Sequence, residues 1–360
     1  MPRSRERENG SSEARFSHGL ITSVGKFKGG ASTARVQIEE FESGDGLDFG
    51  FERGLRLRSI FKEMCCLGMP LTVRGNVADS EVSFFGSLPF QFTSAIEHPT
   101  EFKVLSLSTQ RETFVSKSNP HLESILEKIA HSRDFRVDYW CTILDPGADG
   151  RIEIINILYE VEPIKCFHER PFETQFDEDS YEPVSTKEVA KLHRYFEKIS
   201  TNPNSGPLTG IPFKFVSDGC HHRAHEMSRI LLEAGISPIK AWAFSKDQNN
   251  PLRYKTPYHP TGETSWAFHC APAVLTKKGY LVIDPATLKK PRPVRYWFNQ
   301  IRARGSKLYC TSHHVFRLSD SLCRFRSDPE YKNAQFRLRI YRINLRLMAL
   351  RLGPLPFEHS

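Results

Sequence analysis

The chain has 360 residues, 39% of them hydrophobic and 26% charged, and a formal net charge of +8. That length allows two domains with cores of their own. It holds no run near the roughly 20 apolar residues needed to span a bilayer, and the polar stretch Met1–Phe16 lacks the apolar centre and cleavage site of a signal peptide. Eight cysteines without a C-x-x-C pair exclude a disulfide-stapled scaffold and a paired-cysteine zinc site. The expectation is a soluble protein made in the cytoplasm with free thiols, with export by a signal-independent route left open.

In chain order, residues 1–17 read as a disordered N-terminus, and residues 18–165 as a β-rich accessory domain. Thr33–Phe41 alternates, with Ala34, Val36 and Ile38 on one face and Arg35, Gln37 and Glu39 on the other. Extended runs follow at Leu71–Val77, Val82–Phe92, Phe102–Leu107, Phe135–Leu144 and Ile152–Ile164. Asp145-Pro-Gly-Ala-Asp-Gly150 reads as the turn between the last two. It lacks the acidic ladder of a calcium loop. Helices are expected at Leu57–Leu67 and after the cap Asn119-Pro120, with Leu122, Ile125, Leu126 and Ile129 as the apolar stripe. Short strands around few helices suggest a small OB-like module.

Residues 166–184 are acidic, aperiodic and flanked by prolines, as an acidic linker would be. Ser185-Thr-Lys-Glu188 is a capping box ahead of Val189, Leu192, Phe196 and Ile199 on one helical face. A catalytic domain is placed at 185–320 and a basic element at 321–360. From Arg317 to Arg351 nine Lys or Arg face three acidic residues. Such a stretch suits nucleic acid, acidic lipid or an acidic protein face. The plainer reading is a terminal element with an apolar side that packs and a basic side in water. No nucleic-acid motif accompanies the charge, so nucleic acid is not the favoured partner.

The segment Ser217-Asp-Gly-Cys-His-His-Arg-Ala-His225 opens another helix. Asp218 is suited to its N-cap, and Gly235 to its end. Cys220 would then lie in the first turn, where unpaired N–H groups and the positive helix end stabilise a thiolate and can hold an oxyanion. Gly219, without a side chain, leaves a substrate carbonyl room to approach. Farther on, Ser265–Leu275 and Tyr280–Pro285 read as a hairpin turning at Thr276–Gly279. With Thr276 opposite Gly279, His269 would face Ala286 and Ala271 would face Asp284, so His269 and Asp284 project to one side as diagonal neighbours. Nucleophile, base and orienting acid then follow the logic of cysteine hydrolases. Taken singly, Cys220 reads as a buried thiol, His269 as a core histidine and Asp284 as a turn former. No metal is expected: in Cys220-His-His-x-x-His225, His221 and His225 share a face but Cys220 and His222 do not, and Arg229 stands where H-E-x-x-H needs a ligand.

Asp218-Gly-Cys-x-x-Arg-Ala-His-x-Met227, Trp266-x-x-His269 and Val282-Ile-Asp-Pro285, with Ile211-Pro-Phe213 before them and Pro293-Val…Trp297 after, resemble the core motifs of the protein-glutaminase (protein-glutamine deamidase) family over about 211–300. The resemblance implies an α+β fold whose catalytic domain is papain-like or transglutaminase-like, with a nucleophile helix packed on an antiparallel sheet. It places the family's Cys, His and Asp on Cys220, His269 and Asp284, with Gly219 and Trp266 at the substrate and no cofactor. The implied activity is deamidation of glutamine side chains in protein substrates, which the accessory domain would help to bind. The rivals are a transglutaminase-like acyl transferase, a papain-like protease and, in another class, a nucleic-acid- or protein-binding module.

Overall fold

The computed structural model describes residues 16–26, 34–40, 46–51, 54–67, 69–74, 83–90, 92–106, 113–135, 138–144, 152–160, 168–171, 181–246, 250–319, 324–328 and 330–357. The turn expected at 145–150 and the first fifteen residues lie outside these. Among the described residues the chain is a mixed α+β structure with six helices. No helix among them is long and apolar enough to cross a membrane.

The N-terminal half supplies ten strands. They are β1 (Phe16–Lys26), β2 (Ala34–Glu40), β3 (Gly46–Phe51), β4 (Leu71–Arg74), β5 (Ser83–Phe90), β6 (Phe92–Glu97), β7 (Glu101–Ser106), β8 (Thr113–Ser116), β9 (Tyr139–Leu144) and β10 (Ile152–Glu160). Their order in one sheet is β3-β2-β1-β4-β5-β9-β10-β8-β7-β6, longer than the five strands of an OB barrel. Two helices accompany the sheet, α1 (Gly54–Leu67) and α2 (Leu122–Phe135). Asn119 stands before α2 as expected, its Oδ1 accepting from His121 N at 2.8 Å. The strand expected from Val82 to Phe92 is in fact two, and the one expected from Phe135 begins only at Tyr139, because α2 runs through Phe135. Phe16 and Ser17, expected within the disordered terminus, begin β1.

The acidic stretch is not wholly irregular: His168–Pro171 is a strand, β11, pairing with β20 (Arg324–Ser327), which pairs in turn with β19 (Val315–Ser319). Then α3 (Thr186–Lys198) starts where the capping box requires, Ser185 accepting from Glu188 N at 3.1 Å. Helix α4 (Cys220–Glu233) carries the expected nucleophile. A five-stranded antiparallel sheet follows, built from β12 (Ile239–Phe244), β15 (Phe268–Thr276), β16 (Gly279–Val282), β17 (Arg292–Pro293) and β18 (Lys307–Ser312), in the order β17-β16-β15-β12-β18. A hairpin of β13 (Leu252–Lys255) and β14 (Glu263–Trp266) stands beside it, and α5 (Val294–Ile301) covers one face.

Strand β15 is apolar almost throughout because both its faces are covered. Phe268 and Cys270 pack with Cys220, Ala224 and Trp242. Ala271 and Ala273 pack with Ala241, Ala243, Trp297 and Ile301 of the α5 side. The alanines let the Trp297 indole lie close to the sheet.

The last helix, α6 (Lys332–Leu352), corrects the expectation of a solvated basic side. Leu338, Ile340, Ile343, Leu345 and Leu347 belong to the core of the N-terminal sheet, together with Ile60, Phe90 and Trp140. The helix also packs on α4 and α1. With neighbours on several sides, its arginines turn inward. Arg346 is 3% exposed and donates to Asn202 O at 2.8 Å and Ser205 O at 2.7 Å. Arg342 donates to Gly210 O, Arg339 pairs with Glu63, and Arg337 pairs with Asp138. The positive charge there is largely structural.

Candidate active site

The turn that carries Cys220 is built by backbone geometry and not by a side-chain cap. Gly219, the N-cap, has φ 80°, in the left-handed region that glycine occupies without strain. Asp218, expected at that cap, stands one residue earlier and accepts from Gly219 N at 2.6 Å. A Cβ on Gly219 would lie 2.6 Å from Tyr341 Cε2, because the α6 tyrosine ring is pressed against this glycine. The Tyr341 hydroxyl donates to Asp218 Oδ2 at 3.2 Å, and its ring stacks on Phe215 at 5.2 Å. Arg223, one turn into α4, donates to Phe215 O at 2.8 Å and Asp218 O at 2.6 Å, tying down the approach to the cysteine. Cys220 is thereby the first residue of α4, and the first intrahelical bond, Arg223 N to Gly219 O, leaves the earlier amides of that turn without a helical acceptor.

Hairpin register brings His269 and Asp284 together as expected. Thr276 pairs with Gly279 and Ala273 with Val282, after which the ladder ends and Ile283 N donates to Pro272 O. His269 Nε2 bonds Asp284 Oδ2 at 2.8 Å, both residues buried. Asp284 also accepts from Thr287 Oγ1 at 2.5 Å, Trp297 Nε1 at 3.0 Å and Ala286 N at 3.2 Å. These donors offset the burial of a carboxylate, since hydrogen bonds to charged groups are worth roughly 1.5–3 kcal/mol each. Burial alone would raise the Asp284 pKa, but His269, Thr287 and Trp297 hold it below the usual value. Trp266 donates its Nε1 to Val216 O at 2.8 Å and stacks its ring on the imidazole at 4.4 Å.

With Nε2 taken by Asp284, the buried Nδ1, which has no hydrogen-bond partner, is left for Cys220. Burial would raise the Cys220 pKa, yet contacts with Cys270, His221 and His269 hold it well below the ordinary thiol value. Burial works against a charged His269 as well. The Asp284 carboxylate and Cys220 outweigh it and lift the imidazole to about 9. Both shifts favour a thiolate beside an imidazolium, the state in which a cysteine attacks a carbonyl.

Cys220, His269, Asp284, Gly219 and Trp266 thus fall into one connected cluster. Sequence reasoning missed three contributors. Arg223 stood in the motif without a role, and Thr287 follows Asp284 by three positions, a spacing typical of a turn. Tyr341 had no signal at all, being one tyrosine in a basic helix more than a hundred residues away. Elsewhere on α4, His225 Nε2 donates to Asp328 O at 2.8 Å and its Nδ1 accepts from Lys240 Nζ at 2.6 Å. Arg229 pairs with Glu226 and Glu233.

Residues 191–301 match the model of a protein family described as glutaminase, in line with the motif resemblance. The chain is similar to the crystal structure of a pro-protein-glutaminase, at 18% identity over 75% of this chain and 94% of that one, with a TM-score of 0.45. It is similar to a mutant of pro-protein-glutaminase at 20% identity, over 68% and 89%, with a TM-score of 0.44. To the protein-glutaminase of Chryseobacterium proteolyticum it is 21% identical over 42% and 84%, with a TM-score of 0.34. No curated protein matches the chain.

Proposed function

We propose that this protein is a cysteine amidohydrolase that converts protein-bound glutamine to glutamate, with Cys220 as nucleophile, His269 as acid and base and Asp284 as the group that orients and charges the imidazole. The observation that carries the reading is the buried 2.8 Å His269–Asp284 bond, which leaves Nδ1 for the Cys220 thiol, itself held well below the ordinary thiol pKa. The glutaminase match over 191–301, which contains all three residues, supports the choice of amide.

In this reading the Cys220 thiolate attacks the carboxamide carbon of a glutamine side chain. The backbone amides at the start of α4 hold the oxyanion. His269 gives its proton to the departing nitrogen, ammonia leaves, and a thioester remains. Water then adds to the thioester as His269 takes its proton, releasing glutamate and the thiolate. No cofactor enters. Gly219 gives the amide room beside the sulfur, and Trp266 screens the imidazole from bulk water along the edge of the substrate path. The nucleophile helix against the antiparallel sheet is the papain-like arrangement, and residues 18–165 serve as an accessory part that recognises the target protein.

The test is tandem mass spectrometry of a glutamine-rich protein incubated with the enzyme and an excess of labelled primary amine. Glutamine should become glutamate with the backbone intact, and Cys220→Ser should abolish the change while leaving thermal unfolding nearly unaltered. Amine incorporation as the main product would make the protein a transglutaminase, and chain cleavage would make it a protease.

A further inference from the structure

Beside the catalytic cluster lies a cleft of about 740 Å³ whose walls are strongly basic. Arg253 and Lys255 of β13 line it, together with Lys289, Lys290 and Arg292, which follow the Asp284 turn. The lone carboxylate of the lining, Glu263, is already bonded to Arg253 at 3.0 Å. Among the described residues Lys255, Lys289 and Lys290 have no acidic partner, and Arg292 lies over the ring of Tyr296 at 4.6 Å. Positive groups converging on one concavity repel one another and gain from an anionic occupant.

The cleft is joined to the chemistry by direct contacts. Tyr254 in its wall stacks on Trp266 at 6.4 Å, and Trp266 stacks on His269. The Tyr254 hydroxyl donates to Thr287 O at 2.6 Å, and Thr287 donates to Asp284. From the Tyr254 ring to the imidazole the stack runs about 11 Å, a gap that roughly three to four residues of extended chain cross at about 3.3 Å each.

We propose that this cleft is an exosite for an acidic segment of the polypeptide substrate, whose carboxylates meet Lys255, Lys289, Lys290 and Arg292 while a glutamine a few residues along the same chain reaches Cys220. The proposal rests on the glutaminase reading for its second half only. A compact cleft suits a short run of Asp and Glu better than a nucleic-acid backbone, which needs a longer basic track. Binding remote from the reacting amide can be used to position that amide, so the exosite should act on kcat/KM.

Two measurements on the full chain test it. In the first, fluorescence anisotropy follows a labelled Glu-rich peptide without glutamine on the Cys220→Ser protein. It should bind in low salt and weaken with added salt, and the double variant Lys289→Glu, Lys290→Glu should bind at least about tenfold more weakly, as should Lys255→Glu on β13. These side chains are exposed, and thermal unfolding serves as the check that the variants fold. In the second, ammonia release compares a glutamine peptide flanked by glutamates with the same peptide flanked by serines. The kcat/KM ratio should favour the acidic peptide by about tenfold or more, and the double variant should bring the ratio to one or below. Unchanged binding in both wall variants, or a ratio of one in the native enzyme, would overturn the exosite and leave the glutaminase reading intact. Tighter, wall-dependent binding of a charge-matched oligonucleotide would also overturn it. Wall-dependent peptide binding without ammonia release from any peptide would uphold the exosite and sink the glutaminase reading instead.

Discussion

At the scale of single residues, the site depends on charge that burial opposes. His269 keeps a proton up to about pH 9 because Asp284 is ionised beside it. The imidazolium is thus present below about 9 and lost as the pH rises through that value, while the Cys220 thiolate is lost only as the pH falls through its own depressed pKa. The kcat/KM profile should accordingly have an alkaline limb near 9. Asp284→Asn removes the carboxylate and leaves only Cys220 to oppose burial, so the limb should move down by more than about one pH unit. His269→Ala should cost about 10²–10⁴-fold in rate, and Asp284→Asn less, because orientation is secondary to proton transfer. A limb that stays near 9 in Asp284→Asn would remove Asp284 from the role given to it.

At the scale of elements, the decisive joint is the start of α4. Gly219→Ala forces a left-handed φ on an L-residue and drives its Cβ into a Tyr341 ring that Phe215 holds from the other side, so neither neighbour can yield. The variant should lose about 1–3 kcal/mol of stability and most of its activity. Tyr341→Phe keeps the ring and loses the bond to Asp218, and should cost about 0.5–1.5 kcal/mol; denaturant melts and ammonia assays read both. This joint also marks where the sequence stops being legible. The capping box at Ser185, the Thr276–Gly279 turn and the Cys220 helix start are written locally, within a few residues, and the turn fixes the register that aligns His269 with Asp284. The wedge of Tyr341 on Gly219 spans more than a hundred residues and has no periodicity to betray it. Short strands such as Thr113–Ser116 and His168–Pro171 escape for a related reason: four residues hold too few alternations to stand out.

At the scale of the whole molecule, α6 belongs at once to the core of the N-terminal sheet and to the floor of the nucleophile turn. The division between accessory and catalytic parts is then one of role, and a helix common to both links their stability. A chain ending before Lys332 would lose the Tyr341 wedge and bare Ile60 of α1 and Phe90 of β5. It should be inactive and prone to aggregate, and full activity in it would refute this picture. In the intact protein, loss of ammonia release on heating should superimpose on loss of far-UV circular dichroism, as a single cooperative transition requires. Activity surviving well past the melting of the sheet would separate the two parts after all.

The position of Tyr341 in chain order also sets a clock. Synthesis proceeds at about 5–20 residues per second, so Tyr341 is added on the order of ten seconds after Cys220. Strands β12 to β18, and with them His269 and Asp284, are all made within that interval. On the ribosome His269 and Asp284 therefore exist before the turn that carries Cys220 is braced, and the nascent chain completes this cluster only when the helix that follows every described strand packs back onto Gly219.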